Sequence, residues 1–226
     1  MTANRSFRIV VVEDEDLLRE LLIASLGKIP SLTIVGSYKD GTSAVRAADE
    51  DKPDVALLDI NLGLGWNGVE TALQLRKSLP SIGIVLLSNY AHPELLSSLP
   101  EWALPGWSYL LKQSVRDLST LTRAIEGAAT NLVVLDPELV KLSQLRRHQA
   151  TQHLTPRQMQ ILELVAQGYT NAAISKALFL SEKSVENHLT SIYSALGIDS
   201  SNPDHHARVK ATLLFMSNGT VRRQSS

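Results

Sequence analysis

The sequence predicts an α/β doubly wound fold with a five-stranded parallel sheet, followed by a small all-α unit of four helices. Three observations predict it. Short apolar runs alternate with stretches whose apolar residues recur three and four positions apart, the pattern of strands joined by helical crossovers. The run Val55-Ala56-Leu57-Leu58 is apolar without alternation, which suits a strand buried on both faces of a parallel sheet. Beyond Ala150 the strand-like runs stop and helical spacing alone remains.

Taken in order, Phe7 to Val12 is a β-branched run and reads as the first strand. It ends in Glu13-Asp14-Glu15-Asp16, after which Leu17, Leu18, Leu21, Leu22 and Leu26 mark a helix. Glu15 and Asp16 suit the positive end of that helix, whereas Glu13 and Asp14 lie too early for the same explanation. Leu32 to Gly36 reads as a strand and Thr42 to Ala48 as a helix closed by Pro53. The apolar run to Leu58 ends at Asp59, and the glycine-rich loop Asn61 to Gly68 leads into a helix from Val69 to Leu79. Ile82 to Leu87 is a fourth strand ending at Ser88, and Ser108 to Leu111 a fifth ending at Lys112. Val115 to Ala129 reads as a helix with Ser114 as its cap. Between Asn89 and Trp107, Pro93, Pro100 and Pro105 predict a short, bent or displaced helix.

Composition narrows the classes. No apolar run approaches the roughly 20 residues that span a bilayer, so no membrane segment is expected. Met1 to Arg5 leads directly into a strand-like run and does not have the pattern of a signal peptide. The chain has no cysteine, which excludes disulfides and thiolate metal sites and suits the cytoplasm. Charge is uneven: 15 Lys/Arg against 18 Asp/Glu up to Ala150, and 7 against 5 from Thr151 onward. An acidic front and a mildly basic back hint at two tasks, though so small an excess does not by itself establish nucleic-acid binding.

Right-handed crossovers bring the carboxyl ends of the strands to one edge of the sheet, where ligands of such folds bind. Glu13, Asp14, Asp59, Ser88 and Lys112 all fall at strand ends. Each has a plain reading alone: Asp59 as a loop cap, Ser88 as a strand terminator, Lys112 as a surface lysine, Tyr109 as a core aromatic. Together they make a chemical site. Carboxylates packed at one point repel unless a cation lies among them, and all-oxygen ligands suit Mg²⁺. Lysine adds a second positive charge for a phosphoryl group, and serine a hydroxyl donor.

In these positions residues 7–130 resemble the receiver domain of two-component response regulators, which has the flavodoxin- or CheY-like fold. The resemblance implies Asp59 as the phosphoacceptor, Glu13 and Asp14 as the acidic pair and Asn61 as a metal ligand through its backbone carbonyl. It further implies Ser88 as the switch hydroxyl, Tyr109 as the switch aromatic, and Lys112 as the phosphate-facing lysine. Asp59 would attack a phosphoryl group in line, with Mg²⁺ and Lys112 offsetting charge on its equatorial oxygens. The donor implied is a phosphohistidine on a sensor histidine kinase. Ser88 would then be drawn inward, with Tyr109 following. The chain departs from the family in having Leu62-Gly63 where Met-Pro is usual, a loop one residue longer up to Gly68, and Gln113 in place of a proline.

In the back half Thr155 and Pro156 open a helix that Gly168 stops, Asn171 to Leu178 is a second, and Ser181 caps a third running to Leu196. Pro203 to Ser217 reads as a fourth. By spacing alone a plain helical bundle fits as well as a helix-turn-helix. The run Leu154-Thr155, Gly168, Asn171, Ile174, Leu178, Ser181, Ser184-Val185, His188, Ile192, Leu196-Gly197 resembles the LuxR-type helix-turn-helix of NarL/FixJ response regulators. That resemblance places the third helix in the DNA major groove, with Glu186, Asn187 and Thr190 toward base edges and Lys183 and Ser184 near phosphates. Asn pairs with adenine and Glu accepts from cytosine; Glu186 stands where a basic residue is common. The fourth helix would carry homodimer contacts, giving binding to inverted half-sites.

The partition expected is a receiver domain at 1–130, a linker at 131–152, and a DNA-binding domain at 153–226. The reading is a cytoplasmic, Mg²⁺-dependent, phosphorylation-controlled regulator acting on promoter DNA, not an enzyme. Its rivals are a receiver that binds a partner without phosphorylation and a relay intermediate whose back half only contacts protein.

Overall fold

The computed structural model describes residues 6–63, 65–91, 103–145, 153–200 and 206–216, with positions 95, 99 and 151. The chain divides into two compact units, Met1–Tyr90 with Pro105–Val134 and Ala91–Leu104 with Leu135–Ser226.

The first unit is built on β1 (Phe7–Val12), β2 (Leu32–Tyr38), β3 (Val55–Asp59), β4 (Gly83–Ser88) and β5 (Trp107–Leu111). The helices α1 (Asp16–Leu26), α2 (Gly41–Asp51), α3 (Gly68–Ser78) and α4 (Leu118–Ala129) cover it. Every residue of β3, β4 and β5 is buried, as expected for central parallel strands without polar alternation. Strand order is β2-β1-β3-β4-β5, and a two-residue β6 (Val134–Leu135) follows β5. Among the described residues the sheet therefore has six strands where five were predicted; a two-residue pairing leaves no periodicity to read.

Alternation assigns the two faces. Ile9, Val11, Val55, Leu57, Val85, Leu87 and Leu110 pack with Leu22 and Leu26 of α1 and Leu121 and Ile125 of α4. α2 and α3 pack against each other and take the other face. The order reverses between β1 and β3, where Val12 pairs with Leu58, so the residues just beyond, Glu13 and Asp59, emerge side by side.

Two local expectations are corrected. Lys112–Arg116 forms a 3-10 turn, and α4 starts only at Leu118 with Asp117 rather than Ser114 as its cap. The Asp117 carboxylate accepts from Thr120 Oγ1 at 2.6 Å and from Ser119 N at 3.0 Å. The hydrogen bonds from Thr120 and then Ser119 hold its pKa down at about 2, against an ordinary 3.8. Because the folded value is depressed, the cap stabilises fully above the unfolded value and is lost as pH falls through about 2. Asp117→Ala is expected to melt below wild type near neutrality, with the gap closing across that acid window; equal melting curves at neutral pH would refute the cap. The bent helix predicted between Asn89 and Trp107 falls largely outside the described residues. Among the described residues there is no cis peptide bond.

The second unit holds α5 (Pro137–Leu145), α6 (Pro156–Ala166), α7 (Asn171–Leu178), α8 (Glu182–Ala195) and α9 (Ala207–Met216). α6 packs on α8 and α9, α7 on α8, and α5 on α9. Ile161, Leu162, Val165, Ile174, Val185, Leu189, Ile192, Val209 and Phe215 are buried. Thr155 forms a capping box with Gln158 and Ser181 caps α8, as the sequence predicts; Thr170, which the sequence reading does not single out, caps α7. Gly168 takes a positive φ of 77° between α6 and α7, where a side chain would be strained. The fourth helix predicted for the back half is observed as α9, and positions 203–205 and 217 of that expectation lie outside the described residues. The stretch expected as a linker contains β6 and α5. No helix among the described residues is long and apolar enough to cross a membrane.

Candidate functional site

The carboxyl ends of β1, β3 and β5 bring four charged side chains together. Asp59 closes β3 and is 3% exposed; Glu13 follows β1 and is 1% exposed; Asp14 beside it is open to solvent. Their carboxylate oxygens lie within 4.8 Å of one another. Lys112, directly after β5, donates from Nζ to Asp59 Oδ2 at 2.9 Å and to Glu13 Oε1 at 3.0 Å. The same Nζ is 2.9 Å from Glu13 Oε2, within ion-pair range, yet that buried oxygen receives no directed hydrogen bond. The backbone N–H of Asn61 donates to Asp59 Oδ1 at 3.0 Å.

The electrostatics follow from burial. Desolvation raises the Glu13 carboxyl above its ordinary range, the Lys112 hydrogen bond opposes this, and the Asp59 charge adds to the rise. Burial alone would lower Lys112, but hydrogen bonds and charges from Asp59 and Glu13 outweigh it and leave the ammonium more firmly protonated. One lysine faces three carboxylates. With an unbonded buried oxygen on Glu13 and only oxygen donors, the cluster fits a small hard dication.

Ser88 and Tyr109 share a partner outside the acidic cluster. Ser88 Oγ, buried at the end of β4, donates to the Tyr90 carbonyl at 2.8 Å and accepts from Tyr90 N at 3.2 Å. Tyr109 is already fully buried, and its hydroxyl donates to the same carbonyl at 2.7 Å. Both side chains therefore converge on one backbone oxygen rather than on Asp59. Asn61 is exposed in the loop after β3.

Sequence reasoning missed three contributors. Gly68 is the first residue of α3, and a Cβ there would stand 2.1 Å from the Asp59 carbonyl oxygen. The Asn67–Glu70 capping box that starts α3 was readable as an N-x-x-E pattern, and it fixes where this glycine sits. Arg19, nearly buried, donates to the Glu13 carbonyl at 2.7 Å and pairs with Asp16, steadying the residue that carries the buried acid. Tyr90, the shared acceptor, carries no motif that would single it out.

On α8 one face holds Val185, Leu189 and Ile192, all buried, and the opposite face shows Lys183, Glu186, Asn187 and Thr190 to solvent. Ser184 is half-buried, and its N–H donates to the cap Ser181 at 3.0 Å. Lys183 Nζ lies 3.2 Å from Glu186 Oε2, and Thr190 Oγ1 donates to the Glu186 carbonyl at 3.0 Å. Four of the five predicted DNA-facing residues thus share an exposed face.

Fold and sites together define a regulator that joins a receiver-type sheet to a helix-turn-helix. Comparison with known families specifies it. Residues 9–126 match the model of the response regulator receiver domain, and residues 152–202 that of the bacterial regulatory proteins of the luxR family. The chain belongs to the response regulators with a LuxR-type DNA-binding domain, and is a two-component transcription regulator rather than an enzyme. It is 32% identical over 197 residues to the transcriptional regulatory protein LiaR of Bacillus subtilis, covering 84% of this chain and 91% of that protein. It is 31% identical over 194 residues to the response regulator VraR of Staphylococcus saprophyticus, covering 84% and 90%. A solved structure of two RcsB dimers bound to two parallel DNAs shares the fold, with a TM-score of 0.52 at 20% identity over 95% of this chain and 99% of that one.

Proposed function

We propose that Asp59 is the phosphoacceptor, that a sensor histidine kinase is its donor, and that the modification controls promoter binding through α8. The observation that supports this best is Lys112 Nζ held between Asp59 and Glu13 at 2.9–3.0 Å, with Asp14 in reach. Asp59 Oδ1 and Oδ2 are oriented by the Asn61 N–H and by Lys112, so the carboxylate is fixed before a donor arrives. One carboxylate oxygen attacks the phosphorus of the donor phosphohistidine, the P–N bond breaks, the imidazole leaves, and an acyl phosphate remains on Asp59. Lys112 meets the negative charge gathering on the phosphoryl oxygens. Glu13, Asp14, Asp59 and the Asn61 carbonyl would hold Mg²⁺, which neutralises charge on the phosphoryl group when bound. Ser88 then exchanges its two bonds with Tyr90 for one to the phosphoryl oxygen; Tyr109 keeps its own bond to the Tyr90 carbonyl.

For the output, Lys183 and Ser184 meet phosphates, and Glu186, Asn187 and Thr190 face base edges. Two copies bind inverted half-sites, a reading supported by the dimers of the RcsB–DNA structure. The partition 1–130, 131–152 and 153–226 and a cytoplasmic location complete the proposal. Incubation of the full chain with Mg²⁺ and a small acyl-phosphate donor tests it: peptide mass mapping is expected to find one phosphoryl adduct, on Asp59. An adduct elsewhere, or none with any donor, defeats the proposal.

A further inference from the structure

Phe179 is the most exposed large apolar residue among those described, at 96%. It forms the turn between α7 and α8 and has left-handed backbone angles, φ 55° and ψ 46°, which favour glycine or asparagine over an aromatic residue. The turn itself is fixed. Arg157 Nη2 donates to the Leu178 carbonyl at 2.5 Å, and Leu180 N to the Ser175 carbonyl at 2.9 Å. A rigid turn thus displays a phenyl ring in a backbone conformation that disfavours it, two residues ahead of Ser181, the cap of α8. Ala177 is also exposed and Leu178 and Leu180 are half-buried, so the turn is apolar; exposed Lys176 and Lys183 flank it.

The charge on α8 suggests what covers this ring. The helix carries Glu182 and Glu186 against the single Lys183, and Lys183 is already paired to Glu186. A helix of formal charge −1 gains little from phosphates, so contacts other than ion pairs have to contribute to its hold on DNA. Phenyl rings pack on thymine methyls and on the apolar edges of sugars. The apolar turn continues directly into the DNA-reading helix, with one ammonium on each side of it.

We infer that Phe179 is a DNA contact, its ring packing on a thymine methyl or deoxyribose at the edge of the half-site while Lys176 and Lys183 meet the adjoining phosphates. This rests on the reading of α8 as the recognition helix. The ring supplies affinity without releasing counterions, and the strained turn is kept for that contact rather than for folding.

The test uses the full chain, with Mg²⁺ and an acyl-phosphate donor, and a duplex that wild type enriches from a random-sequence pool. Phe179→Asn keeps a residue suited to the left-handed turn. It is expected to bind the enriched duplex roughly tenfold more weakly, with an unchanged slope of log affinity against log salt and a melting temperature no lower than wild type. Asn187→Ala is the control for the recognition helix. If Asn187→Ala loses binding while Phe179→Asn binds as wild type, the inference fails and the reading of α8 stands. If Phe179→Asn binds normally but transcription in a reconstituted assay is lost, the ring meets a protein and the inference is overturned. If wild type enriches no sequence, the reading of α8 falls and takes the inference with it.

Discussion

Gly68→Ala is expected to cut phosphorylation of Asp59 at least tenfold although it alters no acid, base or ligand. The added Cβ would stand 2.1 Å from the Asp59 carbonyl oxygen, 2.8 Å from its carbon and 2.9 Å from Ile60 Cα. All three are backbone atoms, so no side chain can swing aside. The N–H of Gly68 is also bonded to the Ile60 carbonyl at 3.0 Å, which ties the start of α3 to the turn after Asp59. Relief requires the turn and the helix to part. Overpacking typically costs about 1–3 kcal/mol, and a purely backbone clash belongs at the upper end. The displacement falls on the residue whose carboxylate has to keep its place, 2.9 Å from Lys112 Nζ, to within a few tenths of an ångström. Phosphoryl-adduct yield should drop at least tenfold, with far-ultraviolet circular dichroism of the full chain showing both units still folded. A Gly68→Ala protein that is phosphorylated at the wild-type rate would show that the close approach has no bearing on the site.

Lys112→Met is expected to destabilise the sheet unit by roughly 3 kcal/mol near neutral pH, because it leaves two buried carboxylates facing each other without a cation. Glu13 is already raised by burial, and losing the Lys112 hydrogen bond raises it further. An acid whose folded pKa lies above its unfolded 4.5 binds more protons when folded, so it weakens the fold as pH rises through 4.5 and does no harm below. The deficit of the variant should therefore shrink already in mild acid, whereas that of Asp117→Ala closes only as pH falls toward about 2. Mg²⁺ at about a hundred times its dissociation constant should restore roughly 2.7 kcal/mol. Urea titrations at mildly acidic and neutral pH, with and without Mg²⁺, measure all three effects; a deficit independent of both pH and Mg²⁺ would mean that Lys112 acts only through packing.

These two residues mark the boundary of what the sequence reveals. Lys112, Asp59, Glu13 and Asp14 were readable because ionisable residues at the ends of apolar strands are uncommon and parallel crossovers bring those ends together. Thr155 and Ser181 were readable as caps because hydroxyl residues precede periodic apolar runs. Gly68 looked like one more loop glycine; its constraint comes from a backbone 2.1 Å away that local sequence does not display. Ser114 had the right chemistry for a cap, but the chain first turns through Lys112–Arg116, and the cap passes to Asp117. Tyr109 is buried, as its plain reading as a strand aromatic anticipates, but its bond to Tyr90 depends on where a backbone carbonyl points, which no side-chain pattern encodes.

The sparse positive charge of α8 also bears on how this regulator finds its targets. A reading helix that displaces few counterions adds little to residence on arbitrary chromosomal sequence, because such residence is almost wholly coulombic. The regulator's search then relies on repeated dissociation through solution more than on sliding, and the pool of free molecules stays large. Occupancy at promoters should accordingly follow copy number closely, with little buffering by the bulk of the genome.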